Sequence, residues 1–332
     1  MSISIKTIAE KANVSPSTVS RALHDDPRIS GETRQLVQTL ARELGYVPSH
    51  VARSLVLQRT HTLGVVVTTI ADPYVGQVMA GIEQAIGADG YTLLLATSNG
   101  SAERELQAVE TLCQRRVDAL LVVSSRAGDL YASFLSRIEC PLVMVNNKQK
   151  VGSHGYSVCT DTAQGAKVAT DHLLTLGHRR ITFIGGPPGH SSSERRRGYL
   201  AALQEAGVEI DHRFLLPGIG AAADGQRALP WLLDLGVTGV VCYNDLTALG
   251  ILAAAAETGL QIPETLSVVG IDNLPYGALS TPRLTTVDQG MTELGHRAAQ
   301  VAMAAIAGIA VEDVVLESRL IVRESTAAPG MG

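Results

Sequence analysis

The sequence predicts a small all-α headpiece followed by an α/β core built from two doubly wound parallel-sheet subdomains. From residue 63 onward, short runs rich in Val, Leu and Ile alternate with amphipathic stretches of helical period. Such continuous apolar runs are typical of strands covered by helices on both faces. The alternation breaks near residue 162, which favours two subdomains over one. The first 60 residues lack this rhythm and are expected to fold as a separate unit.

Two helices joined by a tight turn are predicted at the start of the chain. Ala9 is the small residue that lets the second helix approach, Asn13 tolerates a left-handed turn, and Val19 anchors the second helix. Ser15 is placed to cap that helix, with Pro16 at its first position. This spacing is that of a helix-turn-helix, a motif whose second helix enters the major groove of DNA.

A third helix is predicted from Ser30, closed by Gly45, and it completes a minimal core. On the first two helices, polar side chains occupy positions from which a helix in the major groove contacts phosphates and base edges. The side chains expected to contact DNA in this unit are Lys6, Ser15, Ser17, Thr18 and Arg21. The alternative interpretation is a polar surface helix without a DNA role, since short motifs also match by accident.

The core strands are predicted over 63–69, 91–96, 119–124, 142–146, 181–185, 239–243, 266–271 and 284–287. Between the first two, Val75, Val78, Met79, Ile82 and Ile86 follow the spacing of one helix face. The strand ends of the two sheets are expected to bracket a cleft, where open sheets of this kind bind ligands.

Charge is distributed unevenly along the chain of 332 residues, of which 45% are hydrophobic and 18% charged. The formal net charge is −5, yet residues 1–60 carry +3 and the remainder −8. This asymmetry indicates an anion-seeking module attached to an acidic body, rather than a globally basic protein.

The cysteines are scattered and indicate neither a zinc site nor a disulfide framework. They are Cys113, Cys140, Cys159 and Cys242, without a CxxC pair or metal-ligand spacing. The N-terminus lacks a basic stretch followed by an apolar run, and no run of about 18 apolar residues occurs. We therefore expect a cytoplasmic protein with no metal, no cofactor and no membrane segment.

The chain resembles the lactose and galactose repressor (LacI/GalR) family over essentially its whole length. The stretch IKTIAEKANVSPSTVSRALHDDPRISGETRQLVQTLARELGYVPSHVARSLVLQRTHTLGVV is similar to that family's DNA-binding headpiece and hinge. The segments VDALLVVSS, DHLLTLGHRRITFIGG, VVCYNDLTALGIL and LSVVGIDNLPYGALSTPRLTTVDQ follow in the family's order. The resemblance implies a dimeric or tetrameric, operator-binding transcription regulator without enzymatic activity. Its core is expected to be similar to type I periplasmic sugar-binding proteins.

The expected domain boundaries follow from this resemblance. The headpiece spans 1–47, the hinge helix and linker 48–61, and the core 62–332. Within the core, we expect an N-subdomain of 62–161 plus 290–320 and a C-subdomain of 162–289 plus 321–330. No leucine heptad follows Arg323, which favours a homodimer over a tetramer.

The hinge is about two helical turns long, too short to persist alone in water. In the resembled family it folds in the minor groove, where a leucine wedges between base pairs, and the matching residue here is Leu55. The hinge residues expected to contact DNA are Ser49, His50, Ala52, Arg53 and Leu55. Ordinary packing of Leu55 against its own domain is the alternative.

The resemblance also assigns effector contacts in the cleft. The matched residues are Asp72, Tyr74, Asn146, Arg195, Asn244, Asp245, Asp272 and Gln289. Guanidinium, carboxylate and amide groups suit the vicinal hydroxyls of a small polar metabolite, such as a sugar or sugar acid. The alternatives are structural, with Asp272 capping a loop and Asn244 forming a turn. Relatives place an aromatic residue where this chain has Gly220, which leaves Tyr74 as the expected platform for a ring.

Two other classes of protein explain less of the sequence. A periplasmic binding protein leaves residues 1–60 without a purpose and requires an export signal. A nucleotide-dependent dehydrogenase could use the Gly-rich turn at 184–189, but this turn lacks the GxGxxG order, and its prolines lack N–H donors. The sequence therefore favours a DNA-binding, ligand-controlled repressor.

Overall fold

The computed structural model describes residues 3–46, 59–87, 89–134, 137–148 and 155–330. The chain divides into two compact units, Met1–Thr60 and His61–Gly332. The hinge residues for which DNA contacts were expected lie outside the described residues, so the hinge helix stays a prediction. They are Ser49, His50, Ala52, Arg53 and Leu55.

The first unit is a three-helix headpiece consisting of α1 (Ile5–Ala12), α2 (Pro16–Leu23) and α3 (Gly31–Glu43). Ala9 and Val19 are buried in its small core. Asn13 ends α1 in the left-handed conformation with φ 52°, and this lets the chain turn tightly into α2. The Ser15 hydroxyl accepts a hydrogen bond from the Thr18 N–H at 3.1 Å and so caps α2. The predicted helix-turn-helix is confirmed.

The second unit contains two six-stranded sheets, each of which is the centre of one subdomain. The N-subdomain sheet has the order β11-β5-β4-β3-β1-β2, and all of its strand pairs are parallel. Its strands are β1 (Thr62–Val67), β2 (Thr92–Thr97), β3 (Ala119–Val123), β4 (Leu142–Val145), β5 (Gly155–Thr160) and β11 (Val314–Leu316). Its helices are α4 (Pro73–Ile86), α5 (Ala102–Gln114), α6 (Tyr131–Phe134) and α12 (Met291–Ile306).

The C-subdomain sheet has the order β12-β10-β9-β8-β6-β7 and is parallel except for the antiparallel pair β10–β12. Its strands are β6 (Ile181–Ile184), β7 (Leu215–Leu216), β8 (Gly239–Cys242), β9 (Ser267–Ile271), β10 (Thr285–Asp288) and β12 (Arg319–Ile321). Its helices are α7 (Thr162–Thr175), α8 (His190–Glu205), α9 (Ala222–Asp234), α10 (Asp245–Thr258) and α11 (Pro275–Leu279).

Helix α12 returns to the N-subdomain and packs closely against α4. A Cβ added to Gly81 would lie 1.9 Å from the Thr292 carbonyl oxygen, and one on Gly295 would lie 1.9 Å from that of Val78. Glycine is therefore required on both helices at this crossing. This contact ties a segment from late in the chain to the first half of the core.

The predicted fold class is confirmed, but four strands escaped the sequence analysis. They are β5, β7, β11 and β12, of which β7 has two residues and β11 and β12 have three each. Strand β12 begins at Arg319, so the last crossover between the subdomains falls slightly earlier than the expected boundary at 321. Pairing of Ile321 with Thr286 places this strand in the C-subdomain sheet.

Candidate functional site

The candidate DNA-reading surface is the exposed face of α1 and α2. Lys6, Ser17 and Arg21 are exposed on it, and Thr18 is partly buried. The Ser15 hydroxyl lies 2.7 Å from that of Ser17 and 2.9 Å from that of Thr18. Ser15 therefore holds the start of α2 in shape, while Arg21 projects from its last turn.

A second candidate site lies between the two subdomains of the core. Its inner pocket is lined from the N-subdomain by Thr68, Asp72, Tyr74, Ser124, Ser125, Arg126 and Asn146, which we call the N-wall. The C-wall consists of His190, Ser191, Arg195, Tyr243, Asn244 and Asp272 from the C-subdomain. Both groups follow the carboxyl ends of strands or lie in the helix after them, where open α/β sheets bind ligands.

Three lining residues have positive φ angles directly after a strand. Ser124 has φ 54°, Asn146 has φ 57° and Asp272 has φ 124°. Their N–H groups bond to carbonyl oxygens of neighbouring strands, and that of Asp272 reaches Val287 at 2.8 Å. Strained backbone held by sheet hydrogen bonds is typical of functional sites, because it can point side chains in directions that a relaxed turn does not allow.

A buried ion pair is the centre of the C-wall. Arg195 Nη2 lies 3.1 Å from Asp272 Oδ1, and the two side chains are only 3% and 6% exposed. The Arg195 Nη1 group donates to the carbonyl oxygen of Tyr243. The Tyr243 ring lies under the guanidinium, with 4.5 Å from Arg195 Cζ to the ring centroid. Gln289 Nε2 donates to Asp272 Oδ1 at 2.7 Å, so the carboxylate is fixed from a second direction.

Burial changes the protonation of the acids around this ion pair. It raises the pKa of Asp272 to about 7, with Asp245 and Asp72 adding to the rise and Arg195 opposing it. Burial also raises the pKa of Asp72. The Asp272 carboxyl is therefore poised near neutral pH, so a ligand that stabilises the ionised form would displace a proton.

Two buried polar atoms of the inner pocket lack hydrogen-bond partners among the described residues. They are the Tyr74 hydroxyl on the N-wall and Arg195 Nε on the C-wall. An unsatisfied buried polar group costs about 1–3 kcal/mol, so it is rarely retained without a reason. A ligand with hydroxyl groups that enters the pocket is a suitable partner for both atoms.

Six of the eight residues assigned to the effector line this pocket. They are Asp72, Tyr74, Asn146, Arg195, Asn244 and Asp272. The Asn244 side chain is already engaged, since it caps α10 through Thr247 and donates to the Gly220 carbonyl oxygen. It shapes the pocket as well as facing it.

Asp245 and Gln289 do not line the pocket, and their expected effector contacts need correction. The Asp245 carboxylate is fully buried and accepts hydrogen bonds from the Leu274 N–H and the Thr286 hydroxyl. Gln289 lies behind Asp272 and accepts hydrogen bonds from two threonine hydroxyls, at Thr160 and Thr162. Both side chains support the pocket from behind, because their polar atoms bond to the protein itself.

Tyr243 was missed by the sequence analysis, which expected Tyr74 as the only aromatic platform. A Cβ on Gly186 would lie 2.5 Å from the Tyr243 ring, and one on Gly220 would lie 3.1 Å from it. The ring therefore fills the space beside Gly186 and Gly220. Its place directly after the strand GVVC was the available signal. Thr68, Ser124, Ser125, Arg126, His190 and Ser191 were also missed.

A helix-turn-helix unit and a two-lobed core with a polar cleft define the class of ligand-controlled, DNA-binding regulators. Among known families, "Bacterial regulatory proteins, lacI family" matches residues 4–49, and "Periplasmic binding protein-like domain" matches residues 170–326. The HTH-type transcriptional repressor PurR of Erwinia tasmaniensis is 34% identical over 89% of this chain and 87% of its own. The HTH-type transcriptional repressor CytR of Escherichia coli is 31% identical over 98% of this chain and 96% of its own.

Solved structures agree with these matches. The Lac repressor dimer bound to operator and the anti-inducer ONPF has a TM-score of 0.88 at 25% identity and covers 99% of this chain and 100% of its own. The transcriptional regulator CelR in complex with cellobiose has a TM-score of 0.72 at 30% identity and covers 97% of this chain and 99% of its own. The chain belongs to the lacI family of bacterial regulatory proteins, and it is a DNA-binding transcriptional repressor with a ligand-binding core. The relatives are repressors and not enzymes.

No helix among the described residues is long and apolar enough to cross a membrane. Over the same residues, no three His, Cys, Asp or Glu side chains are grouped to hold a metal ion.

Proposed function

We propose that this repressor binds a pseudo-palindromic operator as a homodimer and that its affinity for the operator changes when a small polar metabolite enters the cleft. The metabolite is a sugar or sugar derivative. A dimer presents two headpieces related by a two-fold axis, which matches two half-sites of DNA. This role places the protein in the cytoplasm.

The buried Arg195–Asp272 pair, with unpartnered polar atoms beside it, is the observation that supports a metabolite with several hydroxyl groups. The guanidinium offers Nε–H, and the ionised carboxylate accepts from a hydroxyl. The Tyr74 hydroxyl, from the opposite wall, can donate to or accept from the same ligand. A metabolite that bridges both walls favours the closed cleft.

Control of DNA binding then follows from linkage. An effector that prefers the closed cleft changes the operator affinity only if the closed and open forms bind DNA differently. By reciprocity, an effector that weakens operator binding must itself bind less tightly to the DNA complex. A coupling free energy of about 1–3 kcal/mol is typical for such systems.

Footprinting with the full-length protein at low salt, with and without a panel of sugars, sugar acids and nucleosides, tests this function. We expect a protected palindrome whose protection changes with at least one metabolite. Arg21→Ala should relax sequence preference, whereas Arg42→Ala, on the exposed face of α3, serves as the matched control. Absence of a protected palindrome under every condition would contradict the proposal.

The cleft is tested separately with Asp272→Ala. We expect this variant to lose its response to the effector, and we expect Asp272→Asn, which leaves Arg195 an amide oxygen as partner, to protect the operator as the parent does without that response. Asp234→Ala, at the exposed end of α9, is the matched control and should respond normally. A normal response in Asp272→Ala would remove this residue from the effector site.

A further inference from the structure

An outer pocket continues from the inner pocket toward solvent. The two share Thr68, Asp72, Ser125, Arg126 and His190 in their linings. The outer pocket adds Lys148 from the N-subdomain and the Pro-rich turn before α8 from the C-subdomain. A ligand that fills the inner pocket can therefore extend into the outer one.

The outer pocket is basic. Arg126, Lys148 and His190 line it, against the single carboxylate of Asp72. In the part of the chain that the structure describes, no carboxylate lies within salt-bridge distance of these three side chains. Asp72 is engaged as the cap of α4, where it accepts from the Tyr74 N–H at 3.0 Å. Three basic side chains from both subdomains thus line one pocket, and none of them has an ion pair among the described residues.

A nearby acid, Glu194, is hydrogen-bonded to a residue outside this group. The carboxylate of Glu194 is hydrogen-bonded to Arg197, with Oε2 at 2.6 Å from Nη2. That bond, supported by the charges of Arg197, His190 and Lys148, holds the pKa of Glu194 below its usual value. Glu194 therefore accepts its hydrogen bonds from Arg197 and acts on His190 and Lys148 only at longer range.

The position of Arg126 is fixed through its backbone. Buried Glu105 accepts a hydrogen bond from the Arg126 N–H at 2.7 Å and from the Tyr131 hydroxyl at 2.9 Å. The Ser125 hydroxyl donates to the same carboxylate. The guanidinium of Arg126 reaches across the cleft, where Nη1 donates to the Pro188 carbonyl oxygen. Among the described residues, Arg126 Nε and Nη2 have no hydrogen-bond partner and can bind an anion.

Helix α8 adds backbone donors to the same place. It begins at His190 after Gly189, which provides no side-chain cap. The N–H groups in the first turn of a helix point outward and favour an anion, more so when no cap satisfies them. Gly189 also lets Arg126 approach, because a Cβ there would lie 2.3 Å from Arg126 Nη1.

We propose that the effector carries a phosphate ester, which the outer pocket binds through Arg126, Lys148, His190 and the start of α8 while the polyol part occupies the inner pocket. This inference rests on the proposed function, because it concerns the same effector. Phosphate suits these donors since guanidinium, ammonium and helix N–H groups can bind its oxygens from several directions. The carboxylate of a sugar acid has related chemistry but fewer oxygens.

Matched ligand pairs test this proposal on the full-length protein. The probes are hexoses and pentoses with their monophosphates, nucleosides with their 5′-monophosphates, the corresponding sugar acids, and inorganic phosphate alone. Binding is measured by titration calorimetry. We expect at least one phosphate ester to bind about ten-fold or more tightly than its neutral parent. If a sugar acid binds more tightly than the phosphate ester and the neutral parent, or if the neutral parent binds most tightly, the proposal that the effector carries a phosphate ester is overturned.

Variants of the outer pocket show where the preference arises. Lys148→Gln, at a residue that lines only the outer pocket, should reduce the advantage of the phosphate ester while leaving the affinity for its neutral parent unchanged. Arg126→Gln, at a residue that lines both pockets, should reduce the affinity for the phosphate ester more than the affinity for its neutral parent. Arg115→Gln, an exposed site at the end of α5, is the matched control and should change neither affinity. If the advantage survives in the Arg126→Gln/Lys148→Gln double variant, the outer pocket does not bind the phosphate.

The outcome also separates this inference from the proposed function. If operator protection changes only with neutral metabolites, the proposed function is supported and the proposal of a phosphate-ester effector is overturned. If no phosphate ester in the panel binds, the inference fails, whether or not the operator is protected. A phosphate ester that binds tightly but leaves operator protection unchanged supports the pocket and contradicts its role as the effector site.

Discussion

The two walls of the inner pocket differ in how fully their polar groups are engaged. On the C-wall, Arg195 and Asp272 bond to each other, to Tyr243 and to Gln289 before any ligand arrives. On the N-wall, the Tyr74 hydroxyl is buried without a partner. Each wall carries one atom that a ligand must satisfy, since Arg195 Nε on the C-wall is also unpartnered, but only on the C-wall are the side chains already held in place by an ion pair and hydrogen bonds.

This difference suggests an order of events for cleft closure. A ligand gains most from the C-wall because its donors and acceptors are already positioned, which lowers the entropy cost of binding. The N-wall then gains a partner for Tyr74 only when the cleft holds the ligand. Differential contact of this kind is what allows a ligand to shift a conformational equilibrium.

Breaking the ion pair of the C-wall should have the largest effect. Arg195→Met leaves Asp272 buried without its cation, and we expect the free energy of unfolding to fall by about 3–5 kcal/mol at pH 8. The double variant Arg195→Met/Asp272→Asn leaves no uncompensated charge and should recover most of this loss. Urea unfolding followed by the fluorescence of Trp231, the single tryptophan, measures both. Additive losses would show that the two side chains are not energetically coupled.

Removing the unpartnered hydroxyl of the N-wall should have a smaller and opposite effect on stability. Tyr74→Phe deletes a buried polar group without breaking a hydrogen bond, so we expect the free energy of unfolding to rise by about 1 kcal/mol. The same variant should bind effector about ten-fold less tightly, because the ligand loses that partner. Urea unfolding followed by circular dichroism, together with calorimetry, checks both signs. A destabilised Tyr74→Phe would indicate that the hydroxyl is bonded in the free protein.

The pH dependence of stability and of effector affinity should report on Asp272 of the C-wall. The pKa of Asp272 is about 7 in the folded protein, above the ordinary value of 3.8, so the unfolded chain loses this proton first. This group therefore lowers the free energy of unfolding as pH rises from about 4 to about 7. A ligand hydroxyl that donates to the ionised carboxylate reverses the preference, so affinity should rise several-fold between pH 6 and pH 8.

Calorimetry across this pH range, with Asp272→Asn as the control, checks the pH prediction. The rise in affinity with pH should disappear in Asp272→Asn, whereas ionisations of the ligand and of Asp245 are still present in this variant. A pH profile that is identical in the two proteins would assign the proton to another group.

The sequence predicts the headpiece more completely than it predicts the cleft. In the headpiece, Ala9, Asn13 and Val19 take the predicted roles because helix caps, turns and close helix contacts are decided within a few residues. In the cleft, Asp245 and Asp272 both follow a buried strand and look equivalent in sequence. Only the tertiary structure distinguishes them, since Thr286 and Leu274 engage Asp245 from distant segments.

Tyr243 illustrates the same limit. Its ring packs beside Gly186 and Gly220, which belong to two other strand–helix connections. A sequence without aligned relatives gives no sign that these three residues meet. The outer pocket was missed for a related reason, because Arg126 and Lys148 come from different strand ends and are brought together by the sheet.

The smallest effect is expected behind the C-wall, at Gln289. Its amide oxygen accepts from Thr160 and Thr162 at the crossover between the subdomains, and its amide nitrogen donates to Asp272. Gln289→Ala should therefore loosen the Asp272 carboxylate without removing a ligand contact, and cost about 1 kcal/mol of effector binding, or about five-fold in affinity. Gln300→Ala, on the exposed face of α12, is the matched control. Because Gln289 acts through Asp272, its effect should vanish in an Asp272→Asn background, and an equal loss in both backgrounds would instead place Gln289 in direct contact with the ligand.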